Sequence, residues 1–80
     1  MWNYRLFQFE DDKEKVLYIS ECYYDDKGKI NGYVNPKDIF SKGFWDETKD
    51  GMQDVLDMMK KSTMKNVIII KGDESFYEQV

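Results

Sequence analysis

The stretch KVLYISECYYDDKGKINGYV, residues 15–34, decides the fold of this chain. Its first half is rich in β-branched and aromatic residues, which favours a strand over residues 16–24. The tetrapeptide DDKG at residues 25–28 predicts a type I turn followed by a left-handed residue, since Gly28 adopts a positive φ without steric cost. Residues 30–34 then alternate as a returning strand, so the stretch predicts a β-hairpin.

The segments on either side of this hairpin extend it into a sheet. Residues 2–10 alternate polar and apolar side chains, which predicts a first strand and a three-stranded antiparallel meander. Aromatic residues occur on both sides of that strand, so the pattern leaves open which side faces the core. Asn35-Pro36 ends the third strand, because proline cannot donate a ladder hydrogen bond.

A single helix is predicted over residues 48–61, with Asp46 or Thr48 as its N-cap. It is followed by a β-branched run, VIII at residues 67–70, that reads as a fourth strand, and by a tail, residues 73–80, that docks or frays. We expect the connection before the helix to close one end of the core with Ile39, Phe40, Phe44 and Trp45. The predicted buried stripe of the helix consists of Met52, Val55, Leu56 and Met59.

The expected architecture is thus one α+β domain over residues 1–80, in the order β-β-β-α-β. One helix covers one face of a sheet, so the other face, with its aromatic side chains, is left without a cover of its own. Such a face is exposed, pairs with a second copy or meets a partner. Together with a β-branched strand at residues 67–70 that could lie at an edge, it favours a homodimer.

Composition argues against several classes of function. The chain has 16 acidic and 12 basic residues, for a net charge of −4, which disfavours direct binding to nucleic acid or to an anionic membrane. It has no histidine and one cysteine, so the usual general base and the usual zinc ligands are missing. Cys22 is expected to be a small buried hydrophobe. We therefore expect no catalytic residue, metal or cofactor, and a cytoplasmic protein.

Four aspartates form the first candidate binding surface. Asp46, Asp50, Asp54 and Asp57 are spaced by 4, 4 and 3 residues. At the helical repeat they fall within an arc of about 80°, opposite the predicted buried stripe. A row of carboxylates can imitate a run of phosphates and occupy a basic groove, although an acidic row is also what an ordinary solvated helix face looks like.

Four tyrosines form the second candidate, namely Tyr18, Tyr23, Tyr24 and Tyr33. They lie on the predicted sheet, and tyrosine is favoured at the centre of protein–protein interfaces. We expect Tyr18, Tyr24 and Tyr33 to be the anchors. Base stacking is disfavoured, because Arg5 is the one arginine and no basic groove accompanies the aromatic residues. Packing within the sheet is the plainer interpretation of the same residues.

The opening WNYR and the stretch ISECYYDDKGKINGYVNP at residues 19–36 resemble a group of short bacterial proteins of unassigned function. Those proteins share a WNYR-like start, a YYD-x-x-G-K hairpin and a glycine- and threonine-containing entry to one helix. The resemblance covers residues 2–36 well and residues 43–59 loosely. It implies a meander-plus-helix fold and brings no catalytic residues with it.

The order of strands and helix is also similar, more distantly, to HicB-type antitoxin domains, which mask a toxin. That resemblance implies a small non-catalytic regulatory module that binds another protein through the open aromatic face. Small acidic anti-CRISPR and anti-restriction proteins share only the size and charge of this chain. They supply the alternative, a phage-type inhibitor that uses the acidic helix against a basic nucleic-acid-binding protein.

Overall fold

The computed structural model describes residues 1–38 and 46–80, and within them the chain forms one helix and five strands in a curled sheet. The α+β class is therefore confirmed. The predicted strand order is matched only roughly, because the tail expected to dock or fray forms a fifth strand. The elements are β1 (Trp2–Phe9), β2 (Tyr18–Tyr24), β3 (Ile30–Tyr33), α1 (Lys49–Ser62), β4 (Ile68–Ile70) and β5 (Phe76–Glu78).

The five strands lie in the order β3-β2-β1-β4-β5, so β1 is central. β1 pairs antiparallel with β2 and parallel with β4, and the chain crosses from β3 to β4 by way of α1. A parallel pair needs such a crossover, since a tight turn can join only antiparallel strands. Because β4 lies between β1 and β5, it offers no free edge. An edge strand at residues 67–70 therefore no longer supports the expected homodimer.

Side chains of β3 and β5 meet even though these strands are the two edges of the sheet. Four interstrand steps of about 4.8 Å would separate them by about 19 Å in a flat sheet. The rings of Tyr33 and Phe76 instead lie 5.6 Å apart, and the Tyr33 hydroxyl donates a 3.0 Å hydrogen bond to the Glu74 carbonyl. The sheet therefore curls toward what we call the concave face. The fully buried core of that face is Phe7, Cys22, Ile68 and Ile70.

The helix lies against the opposite face of the sheet. Its N-cap is Thr48, whose hydroxyl accepts a 2.9 Å hydrogen bond from the backbone N–H of Gly51, as one of the two predicted caps requires. Met58 and Ser62 line a small cavity of about 100 Å³ together with Tyr4 of β1. We call this side of the sheet the helix-covered face.

The buried stripe of α1 is rotated from the predicted one. Met59 and Ser62 are buried, and Met52 and Val55 are half-buried, whereas Leu56 is 48 % exposed. The prediction for Leu56 was wrong. The side of α1 that packs on the sheet carries Met58 and the polar Ser62 beside Met59, so apolar spacing alone did not identify it.

The predicted turn at residues 25–28 is confirmed. Gly28 has φ 79°, and its N–H donates a 3.0 Å hydrogen bond to the Asp25 carbonyl. β2 begins at Tyr18 rather than at residue 16, and Val16 and Leu17 before it are exposed. The loop between β1 and β2 is correspondingly longer than predicted.

The expected closure of the core by Ile39, Phe40, Phe44 and Trp45 lies outside the described residues. No helix in the described ranges is long and apolar enough to cross a membrane.

Candidate functional site

A cleft of about 560 Å³ opens at the N-terminal end of β1, on the concave face. The alternation of β1 points Asn3 and Arg5 to the same side as the buried Phe7, so both polar residues reach the cleft from a central strand. The turn at Gly28 and the segment before β4 form its walls. Its lining residues are Met1, Asn3, Arg5, Tyr24, Gly28, Met64, Lys65, Asn66 and Glu78. We call this region the arginine cleft.

Arg5 is the most unusual residue of the cleft, since it is only 4 % exposed. Its Nη1 donates a 2.9 Å hydrogen bond to the Tyr24 hydroxyl, and its Nη2 donates a 2.8 Å hydrogen bond to the Asn66 carbonyl. Both acceptors are neutral. The one carboxylate nearby, on Glu78, lies 3.6 Å from Nη2, beyond the distance of a good charge-assisted hydrogen bond.

The Nε–H of Arg5 is buried and has no hydrogen-bond partner among residues 1–38 and 46–80. Burial by itself lowers the pKa of Arg5, but the hydrogen bond to Tyr24 and the charge of Glu78 outweigh it, so the pKa is raised and the guanidinium stays charged. A buried polar group without a partner carries a desolvation cost of about 1–3 kcal/mol, and more when the group is charged. The polar network of the cleft is thus incomplete as folded.

Tyr24 connects the arginine to the rest of the cleft. Its hydroxyl accepts a hydrogen bond from Arg5 Nη1 and donates a 2.8 Å hydrogen bond to Asn3 Oδ1. These two hydrogen bonds together position the guanidinium. Burial raises the pKa of Tyr24, and burial also raises the pKa of the neighbouring Cys22 thiol. Cys22 is fully buried, as the sequence predicts, so it packs as a small neutral side chain.

The three predicted tyrosine anchors lie on the concave face and are half-buried. Tyr18 packs edge-on against Phe9, with ring centroids 5.7 Å apart. The hydroxyls of Tyr24 and Tyr33 are engaged within the molecule, in the arginine cleft and on the Glu74 carbonyl. The structure therefore brings these tyrosines into one curled surface rather than onto a flat one.

The four predicted aspartates are all exposed, but they do not form one helical row. Asp50, Asp54 and Asp57 lie on α1, whereas Asp46 precedes the N-cap and its Oδ1 accepts a 3.1 Å hydrogen bond from Thr48 N–H. Its carboxylate folds over the first turn of the helix, where a Cβ on Gly51 would clash with Asp46 Oδ1. Gly51 thus leaves room for the fourth carboxylate beside the helix.

An exposed aromatic pair lies outside the predicted anchors, although Tyr23 was one of the four candidate tyrosines. Trp2 of β1 and Tyr23 of β2 are directly paired on the helix-covered face, and they remain 43 % and 38 % exposed. The Trp2 ring stands edge-on to Tyr4, with centroids 5.4 Å apart. Alternation along both strands could have paired them, but it could not show that α1 leaves them uncovered.

Arg5 was also missed as a site residue. A lone arginine in an alternating strand looks like a solvent-facing side chain, and only the curl of the sheet buries it. The described residues contain no group of three acidic or cysteine side chains placed to hold a metal ion.

Comparisons with known proteins assign no family to this chain. The chain matches no protein-family profile, no curated protein and no solved structure.

Proposed function

We propose that this protein is a small non-catalytic, antitoxin-like regulatory module that binds another protein through aromatic side chains of its sheet. The observation that supports the proposal is the exposed pair of Trp2 and Tyr23. Large aromatic side chains lose much water-accessible area on contact and dominate the energy of protein interfaces. A neighbouring aromatic ring, Tyr4, holds Trp2 in place before the partner arrives.

The predicted anchors Tyr18, Tyr24 and Tyr33 take a secondary part in this proposal. They are half-buried, and their contacts within the molecule leave less area for a partner than Trp2 and Tyr23 offer. Changes at Tyr24 and Tyr33 also break internal hydrogen bonds, so these positions report on folding as well as on binding.

The alternative is a phage-type inhibitor, of the anti-CRISPR or anti-restriction kind, that presents its acidic helix to a basic nucleic-acid-binding protein. The supporting observation is that Asp50, Asp54 and Asp57 are exposed on one side of α1. Neither ion pair found among the described residues involves them. Such binding would weaken with salt, because exposed charges are screened.

One experiment separates the two functions. The tagged chain is used to capture proteins from the cell that encodes it, at low and at high salt, in three forms: wild type, Trp2→Ala/Tyr23→Ala and Asp54→Lys/Asp57→Lys. The matched control is Leu56→Ala, which removes an equally exposed apolar side chain from the helix.

The aromatic proposal expects a partner that survives high salt and is lost only with the Trp2/Tyr23 variant. A partner that is lost at high salt and with the aspartate variant would replace it with the inhibitor. Equal capture by all four forms would contradict both.

A further inference from the structure

We propose that the arginine cleft binds a small ligand that carries a carboxylate on a short apolar body, with Arg5 as its anchor and Glu78 as an internal competitor. This site is separate from the aromatic pair and goes beyond the function proposed above.

The donors of Arg5 supply the first argument. A guanidinium has five N–H donors, and the described residues accept hydrogen bonds from only two of its nitrogens, Nη1 and Nη2. Nε–H is unpartnered. Nε–H and one N–H of Nη2 run parallel within the plane of the group, and that edge matches the two oxygens of a carboxylate.

Glu78 marks the position that a ligand carboxylate would occupy beside Arg5. The protein itself fills this position only loosely. Its Oε2 approaches only Nη2, at 3.6 Å, and its side chain is 44 % exposed at the edge strand β5. A bidentate pair would have distances of about 2.7–2.9 Å. Because Nε is covered in the folded protein, the ligand carboxylate has to displace Glu78 to take both donors, and it then gains a hydrogen bond that Glu78 does not make.

The surroundings of Arg5 favour an anion. Tyr24 and the Asn66 carbonyl accept hydrogen bonds from the guanidinium without neutralising it. Lys65 adds a second cation to the lining, against the one carboxylate of Glu78, so the lining has net positive charge. Inorganic phosphate would meet this charge but has no apolar part to lie against the methionines of the cleft.

The size and lining of the cleft define the rest of the ligand. Its volume of about 560 Å³ is within the range of small-molecule sites, about 300–1,000 Å³. Met1 and Met64 contribute flexible apolar side chains that adapt to a short hydrocarbon body. Gly28 carries no side chain to fill the entrance.

The single arginine provides a direct test by NMR. The Nε–H of Arg5 gives one side-chain signal, which is followed while ¹⁵N-labelled protein is titrated with hexanoate, with the uncharged hexanamide, and with inorganic phosphate. We expect a saturable shift with hexanoate alone. In Glu78→Gln, which removes the competitor and keeps its shape, the midpoint should fall about 1.5- to 5-fold, as expected for a loose exposed ion pair.

The controls keep the proposal falsifiable. The backbone amide of Asn66, whose carbonyl accepts from Arg5, is followed in the same titration as a second signal. Arg5→Lys should abolish its response, and if that variant does not fold, the Glu78→Gln titration still decides. An absence of any saturable shift in both wild type and Glu78→Gln would overturn the proposal. So would equal shifts with hexanamide or phosphate. A loss of stability in Glu78→Gln without a ligand response would identify Glu78 as the true partner of Arg5.

Discussion

Toward the C-terminal end of β1, the concave face is dry and apolar, with Phe7 packed against Tyr33 at 5.3 Å between ring centroids. Toward the N-terminal end, two residues away on the same strand, Arg5 and Tyr24 line an open cleft. We call the first region the apolar end. One curled sheet therefore stabilises the fold at one end and keeps an unsatisfied charged group at the other. Burial accounts for both features. Buried apolar side chains pack densely, and polar groups interact more strongly when they are removed from water.

Each end also carries a hairpin of the same construction. The two hairpins comprise residues 25–29 and residues 71–75. In each, the N–H of the fourth residue donates a hydrogen bond to the carbonyl of the first, at 3.0 Å and 2.9 Å respectively. The N–H of the first residue donates to the carbonyl of the fifth, at 2.8 Å in both. The fourth residue has positive φ in both, with 79° at Gly28 beside the cleft and 70° at Glu74 at the apolar end. A side chain in this conformation costs about 1–2 kcal/mol, and only the hairpin at residues 71–75 has a side chain at that position.

The largest effect is expected from breaking the apolar end. Phe7→Ala should lower the free energy of unfolding by about 3–5 kcal/mol, because it removes a fully buried ring and leaves a cavity. Urea denaturation followed by tryptophan fluorescence measures this loss. Leu56→Ala is the matched control and should change stability by well under that amount, since Leu56 is exposed. A loss at Phe7 no larger than at Leu56 would contradict the description of this end as the core.

The two hairpins should respond in opposite directions to substitution. Gly28→Ala should destabilise by about 1–2 kcal/mol, because it introduces a side chain at positive φ, whereas Glu74→Gly should stabilise by about 1 kcal/mol by removing one. Both follow from thermal or urea unfolding of the single variants. Glu74→Ala keeps the strained backbone and should change little. Destabilisation by Glu74→Gly would mean that the Glu74 side chain contributes more than its backbone strain costs.

The smallest effect concerns pH and lies where the two ends meet, at Cys22. Burial raises the pKa of this thiol above its ordinary value of 9.0. A raised pKa in the folded state contributes stability that is fully present below pH 9 and is lost as pH rises toward the folded pKa. The expected loss from this one group between pH 9 and 10 is at most about 1 kcal/mol.

The variant Cys22→Ala isolates the contribution of the thiol. Its stability should be nearly level up to about pH 9. Above that, both proteins lose stability as the tyrosines whose pKa values are raised by burial ionise in the unfolded chain, so the contribution of Cys22 is the difference between the two profiles. Unfolding curves at pH 8, 9 and 10 on both proteins make the comparison. Parallel pH profiles would show that Cys22 does not ionise on unfolding in this range.

Local sequence patterns predicted those features that depend on interactions between neighbouring residues. The hairpin at Gly28, the N-cap at Thr48 and the burial of Cys22 each depend on a few neighbouring residues or on alternation along one strand, and each is confirmed. The fifth strand was missed because residues 76–78 are short and have no periodicity of their own. They become a strand by pairing with β4, which is a tertiary event.

The candidate sites divide in the same way. The exposed aspartates follow from helical spacing, although Asp46 joins them only by folding back over Gly51. The exposure of Trp2 depends on where α1 stops covering the sheet. The burial of Arg5 depends on the approach of β5 and Asn66, residues that are distant in sequence.

The sequence by itself determined the α+β class, the hairpin at residues 25–28 and the helix, and it limited the N-cap to Asp46 or Thr48, because turn chemistry and periodicity act over a few residues. Only the tertiary structure decided that β1 is central, that the sheet curls until β3 and β5 touch, and that Arg5 becomes buried without a full set of partners. Those features require contacts between distant segments, and their free energy comes from the area that these segments bury together.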